Sequence, residues 1–172
     1  MNGTAGNSGS GNLPNTMYRR FEGMREYEAL IEEMIPQTQQ VIRVFDRRLS
    51  RDWNRSERIE LLRQLLRKAR ENRLYIILHD CSKLAMEQPR LLELARQFGP
   101  ACVIRETQKQ AKKAYDPFVL FDGSHYLHRF HYDHLRASQG LHDVVGNCQL
   151  LERFEQIAEY SGPPIALGAS GL

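Results

Sequence analysis

The sequence lacks the features that mark disulfide-rich, zinc-binding or membrane-spanning proteins. It has only three cysteines in 172 residues (Cys81, Cys102 and Cys148), and no two of them form a CxxC pair. An odd number at such wide spacing argues against a disulfide framework or a zinc site. No run approaches the roughly 18 consecutive apolar residues of a membrane helix, and no basic segment followed by an apolar run opens the chain. We therefore expect a protein of a reducing, cytoplasmic compartment with no membrane span.

The composition is that of one globular domain between two polar ends. Hydrophobic residues make up 41% of the chain and charged residues 26%, with a formal net charge of +3. Residues 1–17 contain no charged side chain, and the run from residue 161 contains two prolines and three glycines. Neither segment can bury enough apolar surface to offset the entropy of ordering it. We expect flexible tails over residues 1–17 and 161–172 and a single domain over residues 18–160.

Between these ends, segments with helical periodicity alternate with short runs rich in β-branched residues. This alternation is typical of a layered α/β fold, in which helices flank a mixed, mostly parallel β-sheet. The pattern predicts helices near residues 22–35, 55–70 and 149–160 and another from residue 82 or 89 to 98, and strands at residues 41–45, 74–78, 101–106 and 118–121 and after residue 123.

Four histidines recur at every third position, as His125, His128, His131 and His134. On a helix, neighbours in such a run share one side and could bind a metal ion. On a strand they alternate between the two faces and spread out along the chain. The spacing leaves both structures open, but the surrounding aromatic residues and the preceding Asp122–Gly123 turn favour a strand. We therefore expect neither a metal site nor a cofactor.

A nucleophilic cysteine has one candidate, Cys81, which lies beside His79 and Asp80. A catalytic cysteine needs an electropositive and partly exposed setting, which the start of a helix can supply. The same position also suits a simple loop that closes a strand–helix unit. We favour the loop.

Basic residues are concentrated between residues 43 and 70, where ten Lys or Arg side chains stand against four acids. Arginine forks match phosphate geometry, which makes this segment a candidate phosphate-binding surface. The alternative is an ordinary solvated face of an amphipathic helix. The candidate anion-binding residues are Arg55, Arg58, Arg63, Arg67 and Arg70, together with Lys109, Lys112 and Lys113.

The stretch YDPFVLFD, from Tyr115 to Asp122, resembles the HxKxxxxD motif of the phospholipase D superfamily, altered here to YxPxxxxD. The histidine of the motif falls on Tyr115, its lysine on Pro117 and its aspartate on Asp122. The small Gly-Ser pair of the family falls near Arg129 and Phe130. The resemblance covers roughly residues 40–160 and extends to an uncharacterised group of small bacterial phospholipase D-like domains. It implies a phospholipase D-like fold.

The resemblance also implies that the hydrolytic chemistry of the superfamily is lost. There, a histidine attacks the phosphorus and lysines bind the phosphate oxygens. Tyr115 is a poor substitute, because a tyrosine hydroxyl has an ordinary pKa of about 10. Pro117 carries no charge. We expect no enzymatic activity from this motif, with Asp122 left as a turn residue or as a partner of Arg129.

Three functional hypotheses remain. The leading one is a catalytically silent phospholipase D-like domain that binds a phosphate-bearing ligand such as nucleic acid. The second is a homodimeric interaction or regulatory module without an anionic ligand, because single-motif members of the superfamily form homodimers. The third is a phosphate-handling enzyme whose chemistry has moved to His128, Arg129, His131 and Asp133, with histidine as general acid or base.

Overall fold

Eight strands form one sheet in the computed structural model, which describes residues 14–168. The strands are β1 (Met17–Glu22), β2 (Val41–Asp46), β3 (Arg73–Leu78), β4 (Cys102–Thr107), β5 (Phe118–Phe121), β6 (His125–Arg129), β7 (Arg136–Leu141) and β8 (Ser161–Pro164). The α-helices are α1 (Met24–Met34), α2 (Ser56–Lys68), α3 (Leu84–Glu87), α4 (Pro89–Phe98) and α5 (Val144–Glu159). Short 3-10 helices lie at Ile35–Gln37, Arg51–Asn54, Gly99–Ala101 and Lys109–Lys113.

The strand order across the sheet is β1-β7-β6-β5-β2-β3-β4-β8. The predicted layered α/β fold with a mixed sheet is confirmed, but the expectation that most strands are parallel is wrong. Only the β2–β3 and β3–β4 pairs are parallel, and the other five pairs are antiparallel. The physical reason is the short connections after β5 and β6, because consecutive strands joined by tight turns must run in opposite directions.

The two faces of the sheet carry separate hydrophobic clusters. Alternate residues of β2 divide between them: Ile42 and Val44 face α1, α2 and α4, whereas Phe45 faces α5. On the α5 face, Phe118 of β5 packs against Phe154 of α5, with ring centroids 6.4 Å apart. The sheet is therefore covered on both sides, as the apolar runs of its central strands require.

The segment from residue 161 is part of the sheet. Ser161–Pro164 pairs with β4, and the Ile165 amide donates to the Ile104 carbonyl at 2.9 Å. Arg105 of β4 donates to the carbonyls of Ala158, Ser161 and Gly162 and so ties β8 to the end of α5. The expectation of a flexible tail is wrong for these residues, because proline at an edge strand needs no amide partner on its open side.

At the other end, most of the predicted tail over residues 1–17 lies outside the described residues. Met17, its last residue, begins β1 and pairs with Leu141 of β7. The division into one domain over residues 18–160 with two tails otherwise stays a prediction. No helix within residues 14–168 is long and apolar enough to cross a membrane.

Candidate functional site

The residues at the altered motif positions lie just before β5, close to the carboxyl ends of the parallel strands β2, β3 and β4. We call this side of the sheet the carboxyl edge. Tyr115 is 52% exposed, and its ring lies 5.2 Å from the ring of His131. Pro117 is buried, and its carbonyl accepts a hydrogen bond from the Arg129 amide. A tyrosine hydroxyl is a weaker nucleophile than the histidine of the motif, and proline has no positive charge to bind a phosphate.

Asp122, the residue that matches the motif, performs a structural task. Its carboxylate accepts hydrogen bonds from the backbone amides of Gln39, Gln40 and Val41 at 2.8, 2.8 and 3.0 Å. It adopts a positive φ of 52°, a conformation that Asp tolerates better than most residues. Asp122 therefore holds the turn after β5 against the start of β2, as the first of its two expected roles requires.

Arg129 lies where the resemblance places a small residue, and its side chain is 9% exposed. Its guanidinium donates to the Tyr132 carbonyl at 2.6 Å and lies over the Tyr27 ring, 5.8 Å from the centroid. Its acidic neighbour is Asp46, at 4.0 Å. The expected pairing of Arg129 with Asp122 is not formed, because Asp122 points to the opposite end of β5.

Asp46 ends β2 and shares this buried site. Its side chain is 15% exposed, and burial raises the pKa of Asp46 to about 7 against the opposing attraction of Arg129. Burial also raises the pKa of Tyr27 well above its ordinary value. One buried site beside the altered motif therefore contains Asp46, Arg129 and Tyr27, whose side chains face one another.

The histidine run divides between a strand and a loop. His125 and His128 lie on β6, but the strand ends at Arg129, and His131 and His134 belong to the loop that follows. The expected strand is therefore correct for the first two histidines only, because the chain turns back toward β7. Within residues 14–168 no three His, Cys, Asp or Glu side chains are grouped to hold a metal ion.

His128 and Arg129 point to opposite faces of the sheet. His128 Nε2 lies 2.9 Å from Asp116 Oδ2, and Arg153 of α5 bonds the other carboxylate oxygen. Burial works against the Asp116 charge, but the bonds from His128 and Arg153 hold the pKa of Asp116 below its usual range. The third hypothesis needs His128 and Arg129 at one site, and the structure does not bring them together.

Cys81 lies in a setting that does not favour a thiolate. Burial and the neighbouring Glu106 carboxylate raise the pKa of Cys81 to about 12. His79 is committed elsewhere: its two ring nitrogens bond Thr107 Oγ1 and the Ala114 carbonyl. The interpretation of this segment as a loop between strand and helix agrees with these contacts.

The candidate anion-binding arginines in and beside α2 have different surroundings. Arg58 is completely buried; it bonds Glu28 and lies over the Trp53 ring, so it is not accessible to a ligand. Within the described part of the chain, ion pairs engage Arg55 with Glu32 and Arg63 with Glu60 but do not involve Arg67 or Arg70. Arg67 and Arg70 are exposed.

The remaining candidates, Lys109, Lys112 and Lys113, are exposed on the 3-10 helix that follows β4. They lie at the carboxyl edge, whereas Arg70 precedes β3 at the opposite edge of the sheet. A six-residue strand separates the two edges by about 20 Å. The predicted basic surface is therefore two surfaces, one at each end of the parallel strands.

Sequence reasoning singled out His131 and His134 but did not predict that they lie with Tyr115, Tyr132 and Arg47 at the carboxyl edge. The rings of His131 and Tyr132 are 4.6 Å apart, and those of His131 and His134 are 5.0 Å apart. The Arg47 guanidinium lies over the Tyr132 ring, 5.0 Å from its centroid. We call Tyr115, His131, Tyr132 and His134 the ring cluster. The aromatic residues among the histidines were the available signal in the sequence. The approach of Tyr115 to His131 and of Arg47 to Tyr132 depends on the tertiary structure, so no local pattern predicts it.

Comparison with solved structures identifies the fold as that of phospholipase D-like proteins. The phospholipase D family member Nuc from Salmonella typhimurium superposes with a TM-score of 0.65 at 9% identity, over 88% of this chain and 100% of that one. NucT from Helicobacter pylori gives 0.57 at 9% identity, over 87% and 99%. The archaeal chromatin protein TrmBL2, whose structure shows a novel mode of DNA binding, gives 0.63 at 11% identity, over 86% of this chain and 54% of that one.

Sequence comparison assigns the chain to a family. Residues 23–168 match the model of the family described as "Domain of unknown function (DUF7931)", and the chain belongs to this family. No curated protein matches the sequence.

Proposed function

We propose that this phospholipase D-like domain binds a phosphate-bearing ligand, nucleic acid, without hydrolysing it. The observation that carries the proposal is the composition of the carboxyl edge. The motif positions for the nucleophile and the phosphate-binding lysine hold Tyr115 and Pro117, and exposed basic side chains lie at the same edge of the sheet. These are Arg47, Arg48, Lys109, Lys112 and Lys113.

The contacts of the buried residues support the loss of hydrolysis. Arg129 and Asp46 fill the region behind the motif, and their charges are directed at each other and not at the surface. His128, the histidine nearest to Arg129 in sequence, is bound to Asp116 on the other face. A covalent phosphohistidine mechanism needs an accessible histidine with a cation beside the phosphate, and His128 and Arg129 do not form such a pair.

Fluorescence anisotropy with labelled oligonucleotides, at low and near-physiological salt, tests the proposal. We expect binding whose affinity falls steeply with salt, because each phosphate contact releases counterions and contributes a slope of about −0.9 on logarithmic axes for duplex DNA. The bound oligonucleotide, recovered on a denaturing gel, should be intact. Binding that ignores salt, or none at low salt, contradicts the proposal, and so does cleavage that survives a nuclease-free repeat.

Charge reversal distinguishes the two basic surfaces. Lys109→Glu with Lys113→Glu changes the carboxyl edge, and Arg67→Glu with Arg70→Glu changes the other edge by the same charge. All four side chains are exposed, so both variants should fold. We expect the lysine variant to weaken binding and reduce the salt slope by about 2, and the arginine variant to have the smaller effect. The reverse order would move the binding surface to α2.

A further inference from the structure

We infer that the ring cluster stacks on unpaired bases, so that the carboxyl edge prefers single-stranded nucleic acid over duplex. This inference rests on the proposed function and adds the form of the nucleic acid. The starting observation is that consecutive aromatic rings line one accessible edge: Tyr115 contacts His131, and His131 contacts both Tyr132 and His134.

The ring cluster is not part of either hydrophobic cluster of the core. Tyr115 is 52% exposed and His134 is exposed, while His131 and Tyr132 are partly buried against their neighbours. The rings of Tyr115 and Tyr132 are tilted by 34° and 38° relative to that of His131, closer to stacked than to edge-to-face packing. Aromatic surface that adds nothing to the core and remains accessible is suited to contact a ligand with flat faces.

Positive charge accompanies the rings. Arg47 lies over Tyr132 and is 55% exposed, and Lys113 lies two residues before Tyr115. Asp133, 4.0 Å from Arg47 and 3.8 Å from His131, is the acid in the same loop. Cations beside ring faces match a single strand, which carries both phosphates and accessible bases.

A duplex cannot use the ring cluster in this way. Its bases are stacked on one another, so their faces are covered and only their edges are accessible in the grooves. A surface that needed phosphate contacts alone would require only the lysines and arginines. The rings therefore predict tighter binding of single strands than of duplex, which the charges alone do not predict.

The experiment compares wild type with Tyr115→Ala/Tyr132→Ala for binding to an oligothymidine strand, an oligouridine strand and a duplex of equal length. We expect the wild type to bind both single strands more tightly than the duplex. In the alanine variant, affinity for the strands should fall about 10-fold or more, because stacking contributes roughly 1–3 kcal/mol per base. Affinity for the duplex should change little. A strand containing 2-aminopurine should show fluorescence quenching with the wild type that is lost in the variant.

Two further variants separate stacking from folding. Tyr115→Phe/Tyr132→Phe keeps the rings and should bind single strands more tightly than the alanine variant. Tyr18→Ala removes a ring of similar exposure, 50%, on the edge strand β1, outside the ring cluster and the lysine-bearing 3-10 helix, and should bind as wild type does. If the double alanine variant is unfolded by circular dichroism, Tyr115→Ala alone provides the comparison.

The outcomes distinguish this inference from the proposed function. Salt-sensitive binding that is equal for strand and duplex, and unaffected by the alanine substitutions, overturns the stacking role and leaves the proposed function standing. No binding of any oligonucleotide at low salt overturns both.

Discussion

At the scale of single residues, Asp46 carries a carboxyl group that the fold holds away from water. Its pKa is about 7 in the folded chain, against an ordinary value of 3.8. Between these values the folded chain retains a proton that the unfolded chain has lost. The free energy of unfolding should therefore fall as the pH rises through this range, by on the order of 4 kcal/mol for this group.

Urea unfolding at about pH 5 and about pH 8 measures this effect. The wild type should be less stable at the higher pH. Asp46→Asn removes the titrating group, so its stability should change less between the two conditions. Equal pH dependence in both proteins would show that Asp46 titrates normally.

Arg58 is a second residue whose burial decides its role. Its guanidinium is paired with Glu28 and inaccessible, so Arg58→Ala leaves a buried carboxylate without its partner. We expect a loss of about 3–5 kcal/mol in the free energy of unfolding. Glu28→Ala added to this variant should restore part of the loss. Arg67→Ala, at an exposed position of the same helix, is the matched control and should change stability by less than about 0.5 kcal/mol.

Asp122 stabilises the turn between β5 and β6 through three backbone amides. Asp122→Ala removes all three acceptor contacts and also places alanine at a positive φ, so we expect a loss of about 2–3 kcal/mol by urea unfolding. Asp122→Asn keeps one acceptor oxygen and tolerates the backbone conformation, so it should lose less. Equal losses in the two variants would contradict a role for the carboxylate bonds.

At the scale of elements, the contact between β6 and β7 depends on a glycine. A Cβ at Gly140 would lie 2.3 Å from the Tyr126 ring, while a Cβ at Gly123 meets nothing within 4 Å. Gly140→Ala should therefore destabilise the protein by about 1–3 kcal/mol, because the Tyr126 ring must move. Gly123→Ala, the matched control in the turn before β6, should be close to neutral in thermal unfolding. A neutral Gly140→Ala would mean that the ring has space to shift.

At the scale of the whole molecule, the association state stays a prediction. The homodimer hypothesis expects a particle of twice the 20.0 kDa chain mass by light scattering. Its mass should hold over a range of concentrations if the interface is of ordinary size. A strict monomer would leave the carboxyl edge of one chain as the complete binding surface.

The elements that could be predicted are those in which the spacing of apolar side chains matches the buried face. Helical spacing located α1, α2, α4 and most of α5, and apolar runs located β2 through β5. By contrast, β7 reads RASQGL, and β8 reads SGPP. Their strand structure comes from pairing with other strands and not from their own side chains, so no local pattern predicts them.

The site divides in the same way. The motif register identified Tyr115, Pro117 and Asp122 as the motif positions, because these residues lie within eight positions of one another in sequence. The pairing of Arg129 with Asp46 and the approach of Arg47 to Tyr132 join residues far apart in the chain, and no spacing rule connects them. The sequence identified the concentration of arginines in and beside α2, but it could not show that Arg58 points into the core and Arg67 toward water.

The position of β1 has a consequence for the order in which the chain assembles. Met17 pairs with Leu141, so residues 23–135, about two thirds of the chain, lie between the two strands of that pair. The parallel strands and the β5–β6 hairpin close much shorter loops, and short loops form first. We therefore expect β7 to have one open side for a time during folding, and an open strand side is a template for pairing with other chains. The docking of β1 is the step that ends this exposure.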